Sequence, residues 1–276
     1  MIRFLFLFFI LSACSSSSDV NDPLDQEQDQ LEVAEDSILP RLKSGEYMTV
    51  LKDPSDPKNT SECHIAYMFY DPTDDLLLYE KKVNELIIER VLIQNKEAYK
   101  KLGRIKVEWF KEQLEGFKKE YLEGMKEIPD MSMWYIDQGN TIDESYRDFV
   151  VLSTGQEVYS GGAHGSVYMT YDLIDRESGK VLKLKDIVAD LKGFTKIAEK
   201  YFRKTNEIDP SQSLTDAGYW FEDGFYCSEN FYFDGEKMIF IYNQYEVAPY
   251  VMGMPGIEIP LKEIKSYLRI SLLKNQ

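Results

Sequence analysis

The segment YSGGAHGSVYMTYDLIDRESGKVLKLKD, Tyr159 to Asp186, decides the fold. Its first seven residues form a glycine-rich bend, because Gly161, Gly162 and Gly165 can take backbone angles that other residues avoid. Ser166 to Ile174 then alternates with period two and reads as a strand; Asp175 to Gly179 is its turn, and Lys180 to Leu184 returns. Asp186 reads as the N-cap of a helix from Ile187 to about Asn206. Strand, turn, strand and the start of a helix thus follow one another in this order.

The pattern extends in both directions. Upstream, Met133 to Asp137 and Tyr146 to Tyr159 read as antiparallel strands joined near Gly139-Asn140. Downstream, Phe231 to Phe233 and Met238 to Tyr242 form a hairpin across Asp234-Gly235-Glu236. Ile257 to Ile259 is a short strand, and Pro260 suits the start of a last helix, Leu261 to Leu268. In the N-terminal half, Leu39 to Leu51 and Cys63 to Tyr70 read as strands around a breaker loop, Asp53 to Pro57. Thr73 is the expected cap of a helix carrying Leu76, Tyr79, Val83, Leu86, Ile87 and Val91. A second helix is expected from Lys96 to about Glu127, open to a break at Gly103, Gly116 or Gly124 and ended by Pro129.

The formal net charge of −16 argues against nucleic-acid binding, which needs a basic footprint, and permits a basic partner. Eight acids between Asp19 and Asp36 precede Arg41, so residues 14–40 read as an acidic flexible tether. Before it, residues 1–13, MIRFLFLFFILSA, hold one base and an apolar run too short to span a bilayer, the form of a secretory signal. Leu11-Ser12-Ala13-Cys14 resembles a bacterial lipobox. That resemblance implies cleavage before Cys14, acylation of its thiol and amine (the palmitate-type anchor), and a lipoprotein held in the cell envelope, at the outer membrane on a side left open. An acidic run after such a cysteine resembles a surface-export signal, although here four serines come first.

Tyr159 to Gly165, Tyr171-Asp172 with Gly179 to Leu184, Phe240-Ile241-Tyr242 with Tyr245-Glu246-Val247-Ala248-Pro249-Tyr250, and Ile257 to Pro260 together resemble the DUF3298 domain. This domain commonly follows a DUF4163-like region. The pair forms the extracellular part of the anti-sigma factor RsiV, which binds lysozyme, and a related module accompanies the deacetylase domain of PdaC. The resemblance implies a DUF4163-like α/β region at residues 41–131 and a DUF3298-like domain at 132–276. It implies an α+β class, helices packed on an antiparallel sheet, with lysozyme or a cell-wall ligand such as peptidoglycan as the partner. No sigma-binding segment or deacetylase domain accompanies it here.

The chemistry-bearing residues each admit two readings. His164 could act as a base beside Ser160 in an envelope hydrolase or as a ligand contact in a glycine cradle, or it could be a buried-looking residue that hydrogen-bonds the strand connection. No third orienting group is evident, so the last is preferred. Ser160-Gly161-Gly162 lacks the lysine and following helix of a phosphate loop, and with His64 and His164 as the only histidines a His-x-x-x-His metal pair is impossible. No cofactor motif is recognised. Cys63 and Cys227 are either a disulfide of an oxidising compartment or two buried thiols, and Cys63-His64 lacks the further ligands of a metal site. Tyr245 to Tyr250 is either an aromatic contact surface or a proline-shaped turn capping the core. Glu144, Asp148, Asp172 and Asp175 are acids that could pair as in a glycosidase. The expectation is a binding protein in which Tyr159, Ser160, Gly161, Gly162, His164, Tyr245 and Tyr250 form a binding or structural loop.

Overall fold

The computed structural model describes residues 41–52, 60–71, 75–127 and 133–272. The signal, Cys14, the acidic tether, the Asp53 to Pro57 loop, the Thr73 cap and Pro129 lie outside the described residues. Two sheets organise the chain. The larger holds β1 (Leu42–Lys52), β2 (Thr60–Tyr70), β3 (Tyr135–Asp143), β4 (Phe149–Tyr159), β5 (Ser166–Asp175) and β6 (Val181–Leu182), in that spatial order. The smaller holds β7 (Phe231–Phe233), β8 (Lys237–Ile241) and β9 (Gly256–Pro260). The helices are α1 (Leu78–Arg90), α2 (Lys96–Leu102), α3 (Glu108–Glu127), α4 (Leu184–Ile187), α5 (Leu191–Thr205) and α6 (Leu261–Ile264). This is the expected α+β class. Among the described residues no helix is long and apolar enough to cross a membrane.

Every strand pair is antiparallel except β2 with β3, which run parallel. Parallel neighbours need a crossover, and α1 to α3 lie in the connection between them. Because β2 and β3 are neighbours, the large sheet joins strands from the expected N-terminal region and from the expected C-terminal domain.

Each face of the large sheet meets its own core. On one face, Cys63, Ile65, Tyr67 and Phe69 of β2, with Ile142, Val150, Leu152 and Ile174, pack against Val83, Ile87, Phe110 and Leu114 of α1 and α3. Phe110 stacks on Tyr67 with ring centroids 4.4 Å apart. Arg90 ties α1 to β5 through an ion pair with the buried Asp172. On the other face, Phe149, Val151 and Leu173 meet Phe194, Ala198 and Phe202 of α5 and the inward side chains of β7 to β9. Tyr146 donates its hydroxyl proton to the Phe233 carbonyl at 3.0 Å, linking the two sheets.

Several expectations are corrected. Gly139-Asn140 is not a turn: β3 runs through it, Gly139 pairs with both Ala66 and Gly155, and the chain reverses between Asp143 and Phe149. A side chain at Gly139 would meet the Ala66 carbonyl at 3.2 Å, so the glycine answers a close strand approach. The second helix breaks at Gly103, which takes φ 67°, whereas Gly116 and Gly124 remain inside α3. Asp186 does not cap a long helix; it sits in the four-residue α4 and accepts the Lys183 N–H. The true cap of α5 is Asp190, which accepts the Gly193 N–H at 3.0 Å. The last helix is likewise split, α6 giving way to a 3₁₀ turn over Lys265–Tyr267.

Candidate functional site

The site begins at an unpaired edge. β6 pairs only with Leu173 and Ile174, so the rest of β5 has no strand beyond it. Its outward N–H groups are taken by side-chain amides instead. Val167 N–H donates to Gln244 Oε1 at 2.9 Å, Met169 N–H to Asn243 Oδ1 at 2.8 Å, and Tyr171 N–H to Asn230 Oδ1 at 2.8 Å. The Met169 carbonyl accepts from both Asn230 and Asn243. Three amides thus do the work of a missing strand and close an edge that would otherwise template further pairing. They also fix the segment after β8 against the start of β5.

That docking sets Tyr245 and Tyr250 beside the bend. Gly161 and Gly162 have φ of 93° and 94°, angles only glycine takes readily, and they reverse the chain after β4. Tyr245 itself has φ 64°, a strained angle for a tyrosine. His164 is exposed, not buried. Its ring stacks on Tyr250 with centroids 3.6 Å apart and planes 15° from parallel. Nδ1 lies 2.9 Å from the Gly165 carbonyl. A carbonyl can only accept, so Nδ1 carries the proton and Nε2 is left as the acceptor of the neutral ring. Nε2 meets the Tyr245 hydroxyl at 3.3 Å. Neither ring nitrogen reaches Ser160, which is exposed on the bend.

More aromatic surface adjoins. Tyr159 stacks with Tyr135 at 5.9 Å and donates to the Gly162 carbonyl at 3.0 Å. The Tyr135 hydroxyl, 3.0 Å from Glu157, is pushed up to about 12 by burial first, then by that carboxylate, with Tyr250 and Tyr159 adding to it. Val251 projects beyond Tyr250 at 87% exposure. Within Tyr245 to Tyr250, Val247 and Ala248 plug the core, while Tyr245 is 54% exposed and Tyr250 half-buried. The structure therefore brings together Tyr159, Ser160, Gly161, Gly162, His164, Tyr245 and Tyr250, from two segments about 80 residues apart. The chemistry on offer is contact: flat rings, hydroxyls and one apolar tip.

Other candidates disperse. Cys63 and Cys227 are free thiols, and the disulfide alternative fails because they belong to different cores. Burial pushes each thiol up to about 12. Glu144 accepts from Tyr70, Asp148 pairs with Arg147, Asp172 with Arg90, and Asp175 accepts from Ser178, so these acids are not paired with one another. Among the described residues no cluster of three or more His, Cys, Asp and Glu could hold a metal.

Sequence reasoning missed the surroundings of His64. Its Nε2 lies 3.1 Å from Glu46 and its Nδ1 3.0 Å from Asp137, and the hydrogen bond to Asp137 raises its pKa above the ordinary histidine value against the effect of burial. His64, Ala66 and Met68 alternate with the core-facing residues of β2, a signal that places them on the opposite face; the parallel pairing that brings Asp137 alongside has no local signature.

Residues 184–262 match the DUF3298 family, described as a protein of unknown function. No curated protein matches the chain. The fold is similar to a crystal structure of a DUF3298 family member from Bacteroides fragilis, with TM-score 0.62 and 22% identity, covering 90% of this chain and 96% of that one. It is also similar to a DUF3298 family protein from Pseudomonas aeruginosa, with TM-score 0.53 and 17% identity, covering 86% and 99%. At these identities the likeness concerns the fold. The matched family segment includes the Tyr245 to Tyr250 half of the aromatic cluster and ends before α6 does.

Proposed function

We propose that this chain, whose residues 184–262 match the DUF3298 family, is a non-enzymatic, lipid-anchored binding protein of the bacterial cell envelope. Cys14 carries the lipid, residues 14–40 are the acidic tether, and the region 41–131 is DUF4163-like. The ligand is a lysozyme-like protein or a cell-wall component such as peptidoglycan, met by the aromatic face of Tyr159, His164, Tyr245 and Tyr250.

One observation carries this reading. The acceptor nitrogen of His164 is engaged by the Tyr245 hydroxyl, with the ring stacked on Tyr250, so the residue that invited a catalytic reading serves an exposed aromatic surface. Tyrosines offer large rigid contact area at low entropic cost and recur where binding energy concentrates. The acidic balance of the chain suits a basic protein partner.

The test is calorimetric titration of the full chain, held in detergent micelles, against lysozyme and against soluble peptidoglycan fragments at physiological salt. Saturable binding to one of them supports the reading. Binding to neither removes both ligands, and turnover of peptidoglycan that disappears in His164→Ala with the fold intact would replace it with a hydrolase.

A further inference from the structure

The second core covers the large sheet only over β4 to β6. On the same face, β1 to β3 are bare: Met48 is 44% and Val50 39% exposed, and His64, Ala66 and Met68 are half-exposed. The register hollows this face. Glu46 pairs with Ala66, Ala66 with Gly139, Gly139 with Gly155, and Gly155 with Met169, so three consecutive strands contribute almost no side chain to one row. The Met169 sulfur lies over Gly155, where an added Cβ would meet it at 2.5 Å. The result is a trough of about 410 Å³, floored by Ala66, Met68, Gly139, Gly155 and Met169.

The adjacent row supplies the charge. His64 pairs with Asp137, and Asp137 pairs directly with Glu157. Two acids placed opposite each other on neighbouring strands oppose folding. Glu46 is a third, held across His64. Among the described residues no lysine or arginine lines the trough. An apolar floor beside carboxylates that repel one another suits a long aliphatic stem ending in a cation, the shape of a basic side chain.

We propose that this trough is a docking site for a basic protein segment, with the stem of one lysine or arginine on the Ala66–Gly139–Gly155 floor and its cation among Glu46, Asp137 and Glu157. The site adjoins the aromatic face, since Glu157 accepts from the Tyr135 hydroxyl at 3.0 Å, but it takes its ligand on a different row of the sheet.

The experiment measures fluorescence anisotropy of a labelled Lys-Val-Lys-Val-Lys peptide with the full chain in detergent micelles, using Glu-Val-Glu-Val-Glu as control. Only the basic peptide should bind, more weakly as salt rises. The surface double variant Asp137→Asn/Glu157→Gln should weaken it about tenfold, each exposed charge contributing roughly two- to fivefold. Ala66→Leu, which fills the trough, should weaken it comparably while the thermal melt stays unchanged. If Ala66→Leu does not fold, the charge variant alone decides. Equal binding of the acidic peptide, unchanged affinity in the double variant, an equally large loss in Tyr250→Ala, or displacement of the peptide by an N-acetylglucosamine oligomer would each overturn the proposal.

Discussion

Replacing Asn243 by alanine removes the central tie between β5 and the segment carrying Tyr245 and Tyr250. Asn243 is 7% exposed and makes two bonds to Met169, accepting from its N–H at 2.8 Å and donating to its carbonyl at 3.0 Å. The carbonyl keeps a second donor, Asn230 at 2.9 Å, so only the N–H is orphaned. A buried donor without a partner costs about 1–3 kcal/mol, and the lost carbonyl bond adds roughly 0.5–1 kcal/mol. The expected destabilisation is about 2–3 kcal/mol, a fall of about 1 M in the urea midpoint at an unchanged slope. Gln244→Ala is the internal comparison. It strips one bond, to Val167, at a half-buried position where water can substitute, so less than about 1 kcal/mol should be lost. Equilibrium urea unfolding by tryptophan fluorescence measures both. A loss under about 0.5 kcal/mol for Asn243→Ala, or equal losses for the two variants, would refute the idea that side-chain amides replace a strand at this edge.

Arg90→Met should cost about 3 kcal/mol in the same assay, because Asp172 is left buried without its cation. His64 has its folded pKa raised through Asp137 and Glu46, with Glu157 facing the same row. Its contribution is therefore full below the unfolded histidine value and is lost as pH rises through the folded one; the stability gap between the protein and His64→Asn should shrink from pH 5.5 to pH 8.5, and a gap that widens contradicts the assignment. Cys63 should resist alkylation at pH 8 in the folded chain and react fully in urea, with no Cys63–Cys227 cross-link in non-reducing peptide maps. His164→Ala should leave the melting temperature within about 2 °C, since its ring is exposed and a surface substitution moves stability by only about 0.5 kcal/mol.

Local signals were legible wherever local physics decides. Asp234-Gly235 reads as a hairpin turn and is one, with Gly235 at φ 99°. The alternation from Cys63 to Tyr70 reads as a strand with one buried face, and it is. Gly139-Asn140 carries a similar turn signal but answers a different demand, because a glycine needed for close strand approach looks the same as one needed for a turn. The break at Val188 between α4 and α5 was hidden because Asp186 and Asp190 are both plausible caps, and only tertiary contacts choose Asp190.

The candidate site was half legible. The residues of both aromatic segments stand out as motifs, but the Tyr245 to His164 bond depends on Asn230, Asn243 and Gln244 capping β5, an arrangement set by packing between distant segments. The exposure of His164 has no signature in the bend itself. The row His64, Asp137 and Glu157 was invisible for the same reason: its members come from three strands, one of them joined by a long helical crossover.

The central claim is that the aromatic face binds an envelope ligand. The most direct measurement is calorimetric titration of lysozyme and peptidoglycan fragments into the full chain and into a Tyr245→Ala/Tyr250→Ala variant whose melt is unchanged. The account predicts saturable binding of one ligand and at least about a tenfold loss in the variant, the scale of a central aromatic contact. Binding of neither ligand, or equal affinity in the two proteins, would contradict it.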